Sequence, residues 1–188
     1  TNTAWRWCSP ASATSATDMG ELILRDATAA DADRILALNA AEVMQTSAMD
    51  RARLETLATL ACRFTVAETD GGVLAFLLAM DHAAAYRNDN FRWFAARYPR
   101  FAYVDRIVVD AAAAGMGIGG RLYADLFAHA RERGLERIVC EYNLDPPNPA
   151  SQAFHDRFGF VEVGQQRVAG GSKLVSLQAL ELPLEATQ

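Results

Sequence analysis

The chain opens its regular patterning at Glu21–Asp26, where apolar and polar residues alternate as in a half-buried strand. Ile35, Leu36, Leu38 and Val43 then recur at helical spacing and predict a helix over about Asp31–Gln45. Thr28 and Asp31 mark its start with capping-box spacing, Asp standing where Glu is usual. Leu54, Leu57, Leu60 and Ala61 repeat the spacing and predict a second helix. Phe64–Thr69, the turn Asp70-Gly71-Gly72 and Val73–Met80 predict a hairpin. Phe101–Asp110 reads as a strongly apolar strand. A helix follows Gly115–Gly120, carries Leu122, Leu126 and Phe127 on one face, and ends near Arg133 with Gly134 as its cap. Glu136–Asn143 is another strand, Asp145–Pro149 breaks the chain, and Ser151–Phe158 forms a short helix closed by Gly159. Phe160–Val168 and Lys173–Leu182 make a last hairpin around Gly170-Gly171. The order is β-α-α-β-β-insert-β-α-β-α-β-β, an α/β pattern without internal repeats.

The insert, Asp81–Arg100, is longer than most connections and holds Tyr86, Phe91, Trp93, Phe94 and Tyr98 among arginines and asparagines. Such segments are often functional. Two readings stand: an aromatic flap packed on the core, or a wall of a substrate pocket built from Tyr86, Asn90, Trp93 and, on the next strand, Tyr103.

The 188 residues suit one domain with a full core. A net charge of -5 argues against a nucleic-acid footprint, which needs a basic face. No apolar run reaches the ~20 residues of a membrane helix, so neither a nucleic acid nor a membrane is expected as partner. Thr1–Asp18 is rich in Ser, Ala and Thr without periodicity and reads as a loose tail or expression remnant, with Met19 as a natural start and the domain over 19–188. Cys8, Cys62 and Cys140 form no disulfide framework, which points to a reducing compartment, the cytoplasm. Cys62 and Cys140 read as small buried hydrophobes, with a nucleophilic Cys140 as the alternative. Three dispersed histidines and three dispersed cysteines show no metal spacing, and no metal is expected.

The chemistry concentrates in Ile107–Leu122, a strand, a glycine-rich loop and a helix start. Glycines let a backbone approach a ligand where a Cβ would collide. The first amides of the helix have no carbonyl four residues behind them, and the positive end of the helix dipole backs them. Together they suit phosphate or pyrophosphate. Gly115, Gly117 and Gly120 also satisfy G-x-G-x-x-G, with Glu141 about 20 residues on. The dinucleotide reading is opposed by the gap between Val109 and Gly115, by the single βαβ crossover, and by the short chain that follows. A GK[ST] nucleotide signature is absent.

Ala114-Gly115-Met116-Gly117-Ile118-Gly119 resembles the pyrophosphate motif of the GNAT acetyltransferase superfamily, with Ala114 in place of the leading Arg or Gln. The segment from Asn148 through Ser151 and His155 to Gly159-Phe160 resembles that family's second motif, at the right distance from the first. The aromatic insert followed by Tyr103–Val109 is similar to an uncharacterised bacterial subgroup. The resemblance implies a single-domain GNAT fold: a mixed, mostly antiparallel sheet of six or seven strands with a splayed central pair and about four helices. It implies acetyl-CoA as cosubstrate, with pantetheine against Ile107, Val108 and Val109. Ala114, Gly115, Met116, Gly117, Ile118, Gly119 and Gly120 would lie along the pyrophosphate, and Asn148, Ser151 and His155 along the pantetheine arm. It implies direct acetyl transfer to a primary amine of a small molecule or amino acid, and pairing of copies through terminal strands into a homodimer. A peptide or protein amine and a non-catalytic acyl-CoA sensor are the alternatives.

Transfer to an amine needs a neutral nucleophile, a stabilised carbonyl oxygen and a proton for the departing thiolate. His155 falls where family members carry a Tyr or His that protonates the thiolate; packing against the cofactor is the other reading. Asp105 and Glu141 are the candidate bases. By period two Asp105 shares a strand face with Tyr103, Ile107 and Val109, and a carboxylate there must be used or paired. Glu141 interrupts an apolar strand and faces either the splayed gap or solvent. On family precedent, a backbone N–H near Val109 receives the oxyanion. His82 reads as a strand end beside the insert or a pocket wall, and His129 as a helix-surface residue.

Overall fold

The computed structural model describes residues 20–183; the expected tail over 1–18 lies outside the described residues. Seven strands form one sheet in the order β1-β2-β3-β4-β5-β7-β6. They are β1 (Ile23–Asp26), β2 (Arg63–Thr69), β3 (Gly72–Asp81), β4 (Phe101–Val109), β5 (Arg137–Asp145), β6 (Val161–Val168) and β7 (Lys173–Glu181). Five α-helices accompany them: α1 (Ala32–Ala41), α2 (Arg51–Leu60), α3 (Asp89–Ala95), α4 (Ile118–Glu132) and α5 (Pro149–Phe158). All neighbouring strands are antiparallel except β4 and β5.

The helices divide the core by the alternation of side chains across the sheet. Ala75, Leu77 and Ala79 of β3 pack with Leu122, Tyr123 and Leu126 of α4, and Phe154 and Phe158 of α5 close the same layer. Leu78 and Met80 point the other way, against Leu57 of α2 and Phe91 and Phe94 of α3. Phe76 meets Ile35 and Leu38 of α1 and Leu54 of α2. Each of the Leu, Ile, Met and Phe side chains among them contributes roughly 1.5–3 kcal/mol by leaving water.

Local signals set the helix ends. At the start of the first helical segment the Asp31 carboxylate accepts from the Thr28 amide at 2.8 Å, so Asp serves the reach-back role of the usual Glu. The helix stops at Ala41 rather than continuing to Gln45, and residues 42–46 turn instead. Their carbonyls are taken by side chains of distant strands, described below. Gly134 and Gly159 follow α4 and α5 with φ of 63° and 82°, the left-handed conformation that stops a helix.

One irregularity shapes the sheet. β4 and β5 pair only from Phe101–Tyr103 to Arg137–Val139. Beyond that point β4 stays on β3 as far as Val109, while β5 stays on β7 as far as Asp145. The parting coincides with a β-bulge in β4, where Leu78 faces Arg106 and the adjacent Ala79 faces Val104. Asp105 is the extra residue. A bulge bends its strand and sharpens the local twist, which turns β4 away from β5. The expected splayed pair is thus present, and seven strands and five helices match the expected architecture closely.

The bulge overturns the expected face of Asp105. Tyr103 packs with the α2 and α3 layer, whereas Ile107 and Val109 pack with the α4 layer. Counting by twos fails because Asp105 takes no place in the alternation.

Candidate active site

The glycine loop is set by two left-handed residues, Gly115 (φ 81°) and Gly117 (φ 75°), the second acting as N-cap of α4. A Cβ at either would meet nothing within 4 Å, so glycine serves backbone conformation there and leaves the loop open. Gly119 serves packing: a Cβ would stand 3.0 Å from a ring carbon of Phe154, so its absence lets α5 close on α4. The first α4 amide bonded to a carbonyl four residues back is that of Arg121, to Gly117 at 3.2 Å. The amides just before it face outward at the positive helix end. Met116 departs from expectation: its N–H turns back to the Ala113 carbonyl at 3.3 Å, so the loop uses that donor itself. Ala114 likewise bonds Ala111 at 3.2 Å and presents a methyl group where the family motif has a longer polar side chain.

A groove of about 240 Å³ runs from this loop between β4 and α5. Ile107, Val108, Val109, Gly119, Asn148, Ser151 and Phe154 are among its walls. It shares Gln45, Thr46, Ile107, Asn148 and Ser151 with a larger cavity of about 520 Å³ that occupies the parting of β4 and β5. Asn148 caps α5 by accepting from the Ser151 amide at 3.1 Å, which fixes both residues at this junction.

The cavity draws walls from both sides of the sheet: Tyr123, Cys140 and His155 from one, Asp105, Glu141 and Asn143 from the other. Glu141 is held by the Tyr103 hydroxyl, which donates to its Oε1 at 2.8 Å. Its Oε2 is buried without a partner. Burial is the main force on this carboxyl and pushes its pKa up to about 7. The group therefore ionises in the range where a base exchanges protons with an amine most effectively.

Asp105 is committed elsewhere. Its Oδ2 accepts from Arg106 Nε at 2.7 Å, both side chains being only 3% exposed. Its Oδ1 accepts from the Tyr86 hydroxyl. Arg106 continues to Asn39 Oδ1 at 2.7 Å, tying β4 to α1. Asp105 is thus a strut with both oxygens engaged, and the expectation of a free base there is corrected by that pairing.

His155 is 3% exposed. Its Nδ1 lies 2.7 Å from the Ser151 carbonyl, which can only accept, so Nδ1 carries the proton. Nε2 lies 2.8 Å from the Tyr123 hydroxyl and accepts from it. Burial lowers the pKa of the ring and favours this neutral form. The acidic N–H expected toward the cosubstrate therefore points at the α5 backbone, because the ring is locked at both nitrogens. Burial also holds the Cys140 thiol well above its ordinary pKa, which removes the nucleophile alternative.

The aromatic insert is mostly core. Tyr86 is buried against Phe91 and Tyr103, and Trp93 packs over Gly164 with Arg97 stacked 3.7 Å from its ring centre. Neither Tyr86, Trp93 nor Tyr103 is among the cavity walls, which corrects the expected aromatic pocket; large rings sought burial, and Tyr103 reaches the cavity through its hydroxyl, which meets the Glu141 carboxyl and Asn88 Oδ1. Asn90 does line it, bridged to Gln166 at 3.0 Å. His82 leans on Phe101, and neither it nor His129 is among the cavity walls.

Sequence reasoning missed Arg106, Tyr123, Asn143 and Lys173. The last two act together on the 42–46 turn: Asn143 Nδ2 donates to Gln45 Oε1 at 3.1 Å, and Lys173 Nζ donates to the carbonyls of Met44 and Thr46 at 2.9 and 3.2 Å. No local pattern announces contacts across about a hundred residues of chain. Lys173 alone left a signal, as the only lysine in the sequence.

A sheet parted beside a glycine-capped helix, with a groove leading into the gap, is the arrangement of the GNAT fold. The sequence matches the Acetyltransferase (GNAT) family over residues 31–160, and the chain belongs to that family. It is 33% identical over 116 residues to glucosamine 6-phosphate N-acetyltransferase 1 of Oryza sativa subsp. japonica, spanning 62% of this chain and 64% of the relative. It is 41% identical over 64 residues to phosphinothricin N-acetyltransferase of Streptomyces coelicolor, spanning 34% of this chain and 36% of that protein. Among solved structures, that of yncA from Salmonella typhimurium with its cofactor acetyl-CoA superposes with a TM-score of 0.64 at 24% identity, covering 88% of this chain and 96% of the other.

Proposed function

We propose that this chain is an acetyl-CoA-dependent N-acetyltransferase acting by direct transfer on a primary amine of a small molecule. The observation that carries the reading is the gap between β4 and β5, which holds Glu141 with one bare carboxylate oxygen and joins the groove beside the glycine loop. Acetyl-CoA, when bound, supplies the acetyl thioester. The amides of Gly117–Gly120 hold its diphosphate, and the free edge of β4 at Ile107–Val109 holds pantetheine, with Asn148 and Ser151 across the groove. Glu141 takes the proton of the incoming amine. Val109 lines the groove but not the cavity, so the backbone donor to the oxyanion shifts from there toward Ile107, which borders both. His155 positions the Tyr123 hydroxyl on the cavity wall.

A cavity of about 520 Å³ falls in the small-ligand range, which supports a small acceptor over a protein surface. The names of the two curated relatives support the same substrate class. Free thiols at Cys62 and Cys140 support a cytoplasmic setting, and no described helix is long and apolar enough to cross a membrane. Pairing of two copies through the outer strand β6, where Val161 is exposed, completes the reading; light scattering tests it. The main test is release of free thiol from acetyl-CoA over a panel of amines, with product mass measured. CoA binding without thiol release for any amine would favour a sensor instead.

A further inference from the structure

Lys173 stands on the cavity wall at the start of β7, and among the described residues it is the cavity cation that makes no ion pair with an acid. Asp105 neutralises Arg106 at 2.7 Å. Every ion pair among the described residues is made by an arginine, and none involves Lys173. Its ammonium has three N–H donors; two go to the carbonyls of Met44 and Thr46, leaving one donor and the full charge. The side chain is fixed rather than loose. The turn before it contains Ala169 with φ of 53°, a conformation costly for alanine, and Ser172 closes that turn on the Ala169 carbonyl at 2.8 Å. Asn143, beside it in the cavity, is neutral and grips the same 42–46 turn.

The register sets Lys173 apart from the reaction point. Glu141 lies opposite Leu177, four residues along β7, or roughly 13 Å of strand from Lys173. Both residues alternate onto the same sheet face: Lys173 is in step with Val175 and Leu177, and Glu141 with Val139, all of which pack in the α2 and α3 layer. Asp89 is a further acid on the cavity wall, exposed and in no ion pair with Lys173, so the cavity offers a buried carboxyl at Glu141 and, away from it, an ammonium that no acid contacts. A neutral amine would bring nothing to the ammonium as it displaced water from it, which is costly for a charge.

Resting on the acetyltransferase reading, we propose that the acceptor is an acidic amine, a small molecule with a phosphate or carboxylate several bonds from its primary amine, and that Lys173 binds the anionic group. Lysine suits this as a compact charge with rotatable donors, able to meet either anion.

The test uses two acceptor pairs that share an amine and differ in the anion: glucosamine with glucosamine 6-phosphate, and pentylamine with 5-aminopentanoate. Calorimetry with CoA present and steady-state thiol release are measured for wild type, Lys173→Met and Lys173→Arg. Wild type is expected to prefer the anionic member of at least one pair by about 10- to 100-fold, the range of a charge-assisted hydrogen bond. The pair showing it separates phosphate from carboxylate. Lys173→Met should erase the preference through affinity and KM, and Lys173→Arg should keep most of it. No preference in either pair, or equal losses for neutral and anionic acceptors in Lys173→Met, overturns the proposal while CoA binding stands. Loss of CoA binding to wild type itself would remove the acetyltransferase reading and this one together.

Discussion

The groove proposed for the cosubstrate and the cavity proposed for the acceptor adjoin through five shared residues yet are built on different principles. The groove is largely backbone, with outward amides at the start of α4 and a bare strand edge within 107–120, faced by the start of α5 and by Glu42, Gln45 and Thr46 of the turn after α1. The cavity is side chains, gathered from α3, β4, α4, β5, α5, β7 and the turn after α1. Backbone features recur with short motifs, whereas a side-chain cavity can be refitted wherever one wall changes.

Substitutions can break this contrast. The largest effect is expected from Gly117→Glu, which puts a carboxylate where the loop amides converge. CoA affinity should fall by about 10³-fold in calorimetry. Strain from the positive φ adds only about 1–2 kcal/mol, and the new Cβ meets open space, so a cooperative melt should persist. Unchanged CoA affinity would strike the groove assignment.

Glu141→Gln comes next and tests the cavity side. We expect kcat to fall by about 10²-fold with CoA affinity intact. In wild type the rate should rise with pH through about 7 as the carboxylate forms. The stability effect has the opposite sign. The folded pKa of Glu141 is raised above its unfolded value, so native protein retains a proton that the unfolded chain has lost. Between about 4.5 and 7 stability falls as pH rises. Glu141→Gln should therefore be more stable than wild type at pH 8 by about 1–3 kcal/mol and equal to it near pH 4. Denaturant melts at the two pH values check this; a variant weaker at pH 8 would refute the assigned ionisation.

Gly119→Ala probes the seam where groove and core meet. The methyl group must displace Phe154, which should cost about 1 kcal/mol and weaken CoA a few-fold in a paired melt and titration. The smallest kinetic effect is expected from His155→Phe, below about tenfold in kcat without a change in the pH profile. A hundredfold loss with the alkaline limb removed would restore His155 as the proton donor.

The same contrast governs what the sequence disclosed. Glycines at 115, 117, 134 and 159 demand particular backbone angles, so loop and helix ends were readable without tertiary context. Strand and helix order followed from side-chain period, and even the capping Asp31 was visible. Tyr86 and Trp93 misled because an aromatic cluster serves burial as well as recognition. Asp105 misled because period two holds only in an unbroken ladder. Asn143 stayed silent, and Lys173 showed only as a solitary lysine, because their partners, Met44 to Thr46, lie across the chain.

Asp105 carries a further consequence. Val104 and Arg106 already sit on adjacent rungs opposite Ala79 and Leu78, so excising that one position would leave every other side chain of the strand on its present layer. The shortened strand could then run flush with its parallel neighbour, hydrogen-bonding along its length where the fissure now lies. In this protein the difference between a sealed sheet and one that opens a cavity at its centre is written as a count of residues.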